Sequence, residues 1–225
     1  MSAALALLQV AWQRALRLAF WVFYNPLAWT YDGVSHVVSL GLWREWQRAA
    51  LSELRGSRVL ELAFGTGNLL LDLYDAGCRP VGLDRSAEMA RIAQRKLHQA
   101  ARPALLVRGE AQQIPFADAT FDTVLSTFPA DFIVEPETLR EIARVLSPAG
   151  RAVVVVMAEL PPATLWQRFL EWLYLITGQR GPLPDLRAPL AEFGLTFRTV
   201  CKPVGRSSVL VAIAEKKVVE PTAQP

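Results

Sequence analysis

The chain has 225 residues, 52% of them apolar or aromatic and 20% charged, with a formal net charge of +3. That length supports one sizeable core, and that composition excludes a disordered chain, a collagen-like repeat and a coiled coil. Two cysteines and two histidines exclude a disulfide scaffold and a structural zinc site, and no lysine-arginine run points to nucleic acid. Residues 1–29 are the most apolar stretch. They lack the basic start of a signal peptide. Gln9, Gln13, Arg14 and Arg17 interrupt the run before the roughly 20 apolar residues a membrane span needs. These four share one helical face. The expectation is a helix packed on its own cytoplasmic domain with the arginines outward. The same pattern also fits a basic helix lying peripherally at a membrane interface.

Asn25-Pro26 marks a turn. Residues 42–56 read as a helix, with Leu42, Trp46, Ala49, Ala50 and Leu54 at helical spacing and Gly56 at its end. From Ser57, strands and helices alternate. Strand 58–64 leads to helix 67–77, stopped by Gly77, and strand 80–84 leads to helix 86–100, with Ser86 as N-cap. Strands 104–109 and 121–128 follow, then helix 136–150, ended by Pro148 and Gly150. Strand 151–158 carries consecutive valines that imply burial on both faces. Helix 165–177 is strongly apolar; its Trp and Phe fit packing, or a greasy wall shared with the N-terminal helix. Residues 195–204 and 207–217 read as closing strands whose short connection favours an antiparallel pair. The expected architecture is α/β: a doubly wound, mainly parallel, seven-stranded sheet with an antiparallel last strand. A helical cap spans 1–56, the α/β domain 57–217 and a tail 218–225.

The chemistry gathers at the first strand-to-helix turn, Glu61-Leu62-Ala63-Phe64-Gly65-Thr66-Gly67-Asn68. Glycines there let the backbone approach a ligand, at the strand ends where open α/β folds bind them. Asp84 ends the second strand 17 residues after Gly67, placed to accept hydrogen bonds from two ribose hydroxyls. A dinucleotide fingerprint requires a third glycine, but Leu70 stands at that position. A nicotinamide-dependent oxidoreductase is therefore the weaker reading. Glu61 disfavours a pyrophosphate and favours an ammonium group. S-adenosylmethionine has an ammonium, a sulfonium, a ribose and an adenine, and no phosphate. A buried unpaired carboxylate is costly, which sets a ligand role for Glu61 above a structural one.

From about Arg58 to Lys217 the sequence resembles the class I S-adenosylmethionine-dependent methyltransferases. Glu61 to Gly67 is similar to their first motif, E/D-x-G-x-G-x-G, with Ala63 in place of the first glycine. Gly82 to Ser86 is similar to the acidic-loop motif. Gly109-Glu110-Ala111, Ile114-Pro115-Phe116 and Phe121-Asp122 resemble the stretch that holds adenine and enters the fourth strand. Leu146 to Arg151 is similar to the turn before the fifth strand, with Ala149 for a glycine. The subgroup it looks most like is the ubiquinone and menaquinone biosynthesis type, which includes small-molecule and lipid methyltransferases. The resemblance implies a Rossmann-like fold and S-adenosyl-L-methionine as cofactor. It implies cofactor contacts at Glu61, Ala63, Gly65, Gly67, Asp84, Arg85, Glu110, Ala111 and Thr127. Tyr31-Asp32 matches a pair that caps the cofactor in that subgroup.

The implied reaction is in-line methyl transfer, in which proximity and orientation dominate. A base is needed only where the acceptor must lose a proton early; His36, Tyr31 and Thr127 are the candidates. Ser126-Thr127-Phe128-Pro129 follows the fourth strand, where adenine methyltransferases acting on nucleic acid carry Asp/Asn-Pro-Pro-aromatic. The apolar flanking helices favour a small lipophilic acceptor, a quinone precursor or a lipid, with no nucleic acid and no metal. A non-catalytic S-adenosylmethionine-binding or membrane-associated protein is the alternative that Ala63 permits. His98 is expected in solvent, and Cys78 and Cys201 as small core residues.

Overall fold

The computed structural model describes residues 3–161, 168 and 185–216. The alternating pattern resolves into one sheet of β1 (Arg58–Leu62), β2 (Arg79–Asp84), β3 (Leu105–Arg108), β4 (Phe121–Thr127), β5 (Leu146–Glu159), β6 (Leu195–Val204) and β7 (Ser207–Lys216). The strand order is β3-β2-β1-β4-β5-β7-β6. Pairing is parallel from β3 through β5. The last strand, β7, is antiparallel to both β5 and β6, as its short connection requires. The order reverses beside β1, so the carboxyl ends of β1 and β4 flank the switch point where such sheets bind ligands. These features are those of the Rossmann-like α/β fold.

Side-chain alternation divides the core between the two faces. Leu60 and Leu62 join Phe121, Val124, Ile142 and Leu146 on one face. Val59 joins Leu69, Leu73, Leu125, Val153 and Val155 on the other. A period of two then puts Glu61 on the Val59 face. The helices are α1 (Ala3–Tyr24), α2 (Tyr31–Val38), α3 (Trp43–Arg48), α4 (Asn68–Asp75), α5 (Ala87–Gln99), α6 (Pro136–Val145) and α7 (Arg187–Glu192). Ser86 caps α5, its hydroxyl accepting from the Met89 amide at 3.2 Å.

Four expectations are corrected. The helix expected to run to Gly150 ends at Val145, and β5 starts at Leu146, which pairs with Phe121. Pro148 cannot continue a helix, and Leu146 is fully buried in the core. The helix expected over 42–56 splits into α3 and a short 3-10 turn at Leu51–Glu53. The Thr123 hydroxyl on β4 accepts from the Arg55 amide at 2.9 Å and donates to the Arg55 carbonyl at 2.7 Å, so the chain unwinds to enter β1. Cys201 is exposed on the edge strand β6, whereas Cys78 is half-buried. Among the described side chains of the N-terminal helix α1, several apolar ones are not buried on the domain: Trp12 is 50%, Leu18 62% and Trp21 51% exposed. The helix is tied down at its C-terminal end, where the Tyr24 carbonyl accepts from Ser86. No helix among the described residues is long and apolar enough to cross a membrane. The expected helix 165–177 and the tail lie outside the described residues.

Candidate active site

Glu61 is the starting point. Its strand neighbours in register are Gly82 and Leu125, so it sits in the middle of the sheet. It is 1% exposed, and its Oε2 has no hydrogen-bond partner among the described residues. Burial first, then the charges of Asp84 and Asp72, push its carboxyl well above the ordinary range. An unpaired buried carboxyl of this kind is suited to receiving a cation.

The loop after β1 wraps the space above it. Gly67, at the start of α4, has φ +79°, and a Cβ there would lie 2.7 Å from the Ala93 Cβ. Only glycine lets α4 and α5 approach so closely. Ala63, where the resemblance expects glycine, keeps the left-handed conformation at φ +54°. Its amide donates to the Leu83 carbonyl at 2.7 Å, and its side chain is exposed. The alanine is thus carried as backbone strain of about 1–2 kcal/mol. Ala149 repeats the pattern at φ +58°.

Asp84, at the end of β2, is locked in place: Oδ2 accepts from the Gly65 amide at 2.9 Å and Oδ1 from the Ser86 amide at 2.8 Å. Burial raises its carboxyl, against the opposing pull of those amides and of the Arg85 charge. Each oxygen keeps a lone pair free, enough for a vicinal diol.

The cap is stitched onto this loop by Asp32 of α2. Asp32 Oδ1 accepts from Thr66 Oγ1 at 2.6 Å and from Asn68 Nδ2 at 3.0 Å. Oδ2 pairs with Lys96 Nζ at 2.5 Å, and Lys96 also donates to Asn68 Oδ1 at 2.8 Å. Burial raises the Asp32 carboxyl, but the bonds from Lys96, Thr66 and Asn68 outweigh it and hold it below its ordinary value. The Ser86 hydroxyl donates to the Tyr24 carbonyl at 2.8 Å. Burial, with the charge of Asp84 adding to it, raises both the Tyr24 and Tyr31 phenols.

At the end of β4, Thr127 Oγ1 accepts from Gln47 Nε2 at 3.0 Å. Phe128 follows at φ +50°, its ring 4.4 Å from that of Trp43. Aromatic contacts continue from Trp43 through Tyr31 and Tyr24 to Phe20 on α1. In the loop after β3, Ala111 is buried and Glu110 exposed. That loop is held against α6 by Arg144, whose guanidinium donates to the Ile114 and Phe116 carbonyls at 2.8 and 2.7 Å. Arg85 and His98 are exposed. His36 is also exposed, with its ring against Gly41.

Glu61, Ala63, Gly65 and Gly67 thus lie at the end of β1 and in the loop after it, Asp84 bonds that loop from the end of β2, and Thr127 ends the adjoining strand β4. Thr66, Asn68, Lys96, Trp43 and Gln47 were not singled out by sequence. The i, i+4 spacing of Trp43 and Gln47 was the available signal. The free Glu61 oxygen fits an ammonium group, and the fixed Asp84 carboxylate fits a ribose, so the residues present suit S-adenosylmethionine.

Residues 59–150 match a family described as a methyltransferase domain. The chain is 34% identical over 179 residues to a demethylmenaquinone methyltransferase of Paenarthrobacter aurescens, covering 75% of this chain and 68% of that one. It is 34% identical over 205 residues to the demethylmenaquinone methyltransferase of Thermus thermophilus, covering 78% of this chain and 92% of that one. The fold is shared with a SAM-dependent methyltransferase of Thermotoga maritima, described as a possible histamine N-methyltransferase. That likeness has a TM-score of 0.59 at 19% identity and covers 87% of this chain and 99% of that one. The chain belongs to the class I S-adenosylmethionine-dependent methyltransferases, in the ubiquinone and menaquinone biosynthesis group.

Proposed function

We propose that this methyltransferase acts on a ring carbon of a lipophilic quinone precursor, taken up at a membrane surface. The observation that carries the reading is the unbroken aromatic run from Phe20 through Tyr24, Tyr31 and Trp43 to Phe128. It leads from the exposed apolar helix α1 to the end of β4. Packed aromatic rings of this kind suit a planar acceptor. The similar methyltransferases are named for demethylmenaquinone, a compound of that kind.

S-adenosylmethionine, when bound, supplies a methyl group activated by a positive sulfur. The chain's own residues position and shield. Glu61 holds the ammonium and Asp84 the ribose hydroxyls. Gly65 and Gly67 admit the ligand to the backbone, with Ala63 and Arg85 at the margins, and Glu110 and Ala111 flank the adenine. Thr127 and Phe128 line the path to the acceptor. Residues 1–56 form the cap over the domain at 57–217, and the Asp32 latch holds it down and keeps water out. Proximity of this sort contributes about 7–11 kcal/mol to such reactions. A ring hydroxyl of a quinol supplies electron density to the neighbouring carbon as the C–S bond breaks and the new C–C bond forms, and the proton displaced from that carbon leaves to solvent as the ring regains aromaticity.

The test is incubation with S-adenosylmethionine and a prenylated 1,4-naphthoquinol, with products followed by mass spectrometry. Gain of one methyl group on a ring carbon is the expected result. Turnover only of amines or of nucleic acid would overturn the reading. Replacing Asp32 by alanine should lower stability by about 1 kcal/mol, about 2–4 °C in Tm. It should also weaken S-adenosylmethionine binding about tenfold.

Membrane contact at α1 is supported by its exposed Trp12, Leu18 and Trp21, continued by Trp29 at 75% exposure. The helix holds no acidic residue, and Arg14 is exposed. A basic apolar face of this kind partitions to anionic lipid. The Trp21→Glu, Trp29→Glu double variant should sediment with phosphatidylglycerol vesicles at least several-fold less than the wild type. Equal sedimentation would remove membrane contact from the proposal.

A further inference from the structure

Helix α3 is anchored on two sides. Arg44 donates to Asp72 through Nε at 3.1 Å and NH2 at 2.8 Å, and Arg48 donates to it at 2.7 Å. On another side, the buried Trp46 donates from Nε1 to Ser207 Oγ at 2.8 Å. So braced, the helix cannot roll about its axis. Its Trp43 and Gln47, four residues apart, face the end of β4, where the Trp43 ring packs at a tilt against Phe128 and Gln47 bonds Thr127.

In this well-braced setting two polar atoms have no partner. Trp43 Nε1 and Gln47 Oε1 are both buried and unbonded among the described residues. A buried polar atom left without a partner is costly. The Thr127 hydroxyl can donate or accept, so either sense of the Gln47 amide leaves one of its atoms unpaired. With Glu61 Oε2, these unpaired atoms gather at the carboxyl ends of β1 and β4. Glu61 answers to a cation. An indole donor and an amide acceptor one helical turn apart on α3 are together complementary to one hydroxyl group, which can accept and donate at once. The packed rings of Trp43 and Phe128, 4.4 Å apart, suit an aromatic ring bearing that hydroxyl.

We propose that Trp43 and Gln47 determine acceptor specificity by holding a hydroxyl on the acceptor's aromatic ring. Trp43 Nε1 donates to the hydroxyl oxygen, Gln47 Oε1 accepts from the hydroxyl, and the ring packs against Phe128. The assignment rests on the quinone-precursor reading above and adds to it the residues that select the ring oxygen.

The test compares wild type with Gln47→Leu, Gln47→Glu and Trp43→Phe. The probes are a short-chain prenylated 1,4-naphthoquinol and its two analogues with one or the other hydroxyl replaced by hydrogen. Gln47→Leu and Trp43→Phe should lower kcat/KM on the quinol by about 10–100-fold. On the analogue lacking the recognised hydroxyl they should change it less than about threefold. Gln47→Glu, which keeps an acceptor, should restore most of the preference. S-adenosylhomocysteine affinity should be unchanged throughout, which also certifies folding; if Gln47→Leu alone loses it, Trp43→Phe decides. Equal losses on all three probes would show a structural role and overturn the assignment, as would no loss on any. A wild type inactive on every probe would instead defeat the quinone-precursor reading itself, and the assignment with it.

Discussion

Replacing Glu61 by glutamine lowers the affinity for S-adenosylmethionine by two to four orders of magnitude while leaving the protein folded. Breaking a buried pair with a cation costs about 3–5 kcal/mol, and each 1.4 kcal/mol is about tenfold in affinity. The folded, ligand-free protein does not resist the change, because Glu61 Oε2 has no partner among the described residues to lose. The same carboxyl sets a pH dependence. Burial, then Asp84 and Asp72, raise Glu61, and burial raises Asp84. Between the ordinary carboxylate range and these raised values the folded protein binds more protons than the unfolded chain. The stability this contributes is fully present below the ordinary range and is lost as pH rises through the raised values. A bound ammonium returns Glu61 to its ionised form, so binding releases a proton. Affinity therefore increases with pH and levels off above the raised value. Calorimetry in two buffers of different ionisation heat should show more proton release in the wild type than in Glu61→Gln. Equal release in both, or unchanged affinity, would remove Glu61 from the site.

Gly67→Ala should be the most destabilising single change in the loop. The residue sits at φ +79°, and its new Cβ would meet the Ala93 Cβ at 2.7 Å and the Ala93 Cα at 3.1 Å. Ala93 is fully buried on α5, so it cannot step aside. Left-handed strain of about 1–2 kcal/mol and overpacking of about 1–3 kcal/mol together approach the whole stability of a marginal domain. Gly65→Ala provides the contrast. It also has positive φ, but nothing lies within 4 Å of its added Cβ. That variant should lose only about 1–2 kcal/mol, yet place a methyl group on the loop that bonds Asp84 and weaken cofactor binding. Thermal melts and S-adenosylhomocysteine titrations of both variants separate the two effects. A Gly67→Ala protein as stable as wild type would contradict the packing described.

The sheet was legible because burial imposes a period of two on the strands and glycine or proline punctuates their ends. Glu61 was legible for the opposite reason: a lone carboxylate in an apolar strand breaks the pattern and demands an explanation. Asp84 was legible from its place at the end of the second strand. Where the reading went astray, tertiary packing overrode local pattern. Leu146 leaves the helical series because the core takes its side chain into β5. The apolar face of α1 was visible, but periodicity names a face and not what covers it. The Asp32 latch joins residues 34 to 64 positions apart, and side-chain pairing at such separation leaves no periodic trace. Trp43 and Gln47 read as ordinary residues of the helix expected over 42–56, with their i, i+4 spacing as the one trace in the sequence. Their unpaired buried atoms are visible only in the structure.

Glu61 and Asp84, at the carboxyl ends of β1 and β2, are the proposed holders of S-adenosylmethionine. Calorimetric titration of the wild-type protein with S-adenosylmethionine, S-adenosylhomocysteine and NADH tests this most directly. The account predicts binding of the first two in the micromolar range common for enzyme ligands, and none of NADH. Binding of NADH, or of neither sulfur compound with or without the quinol and vesicles present, would contradict it.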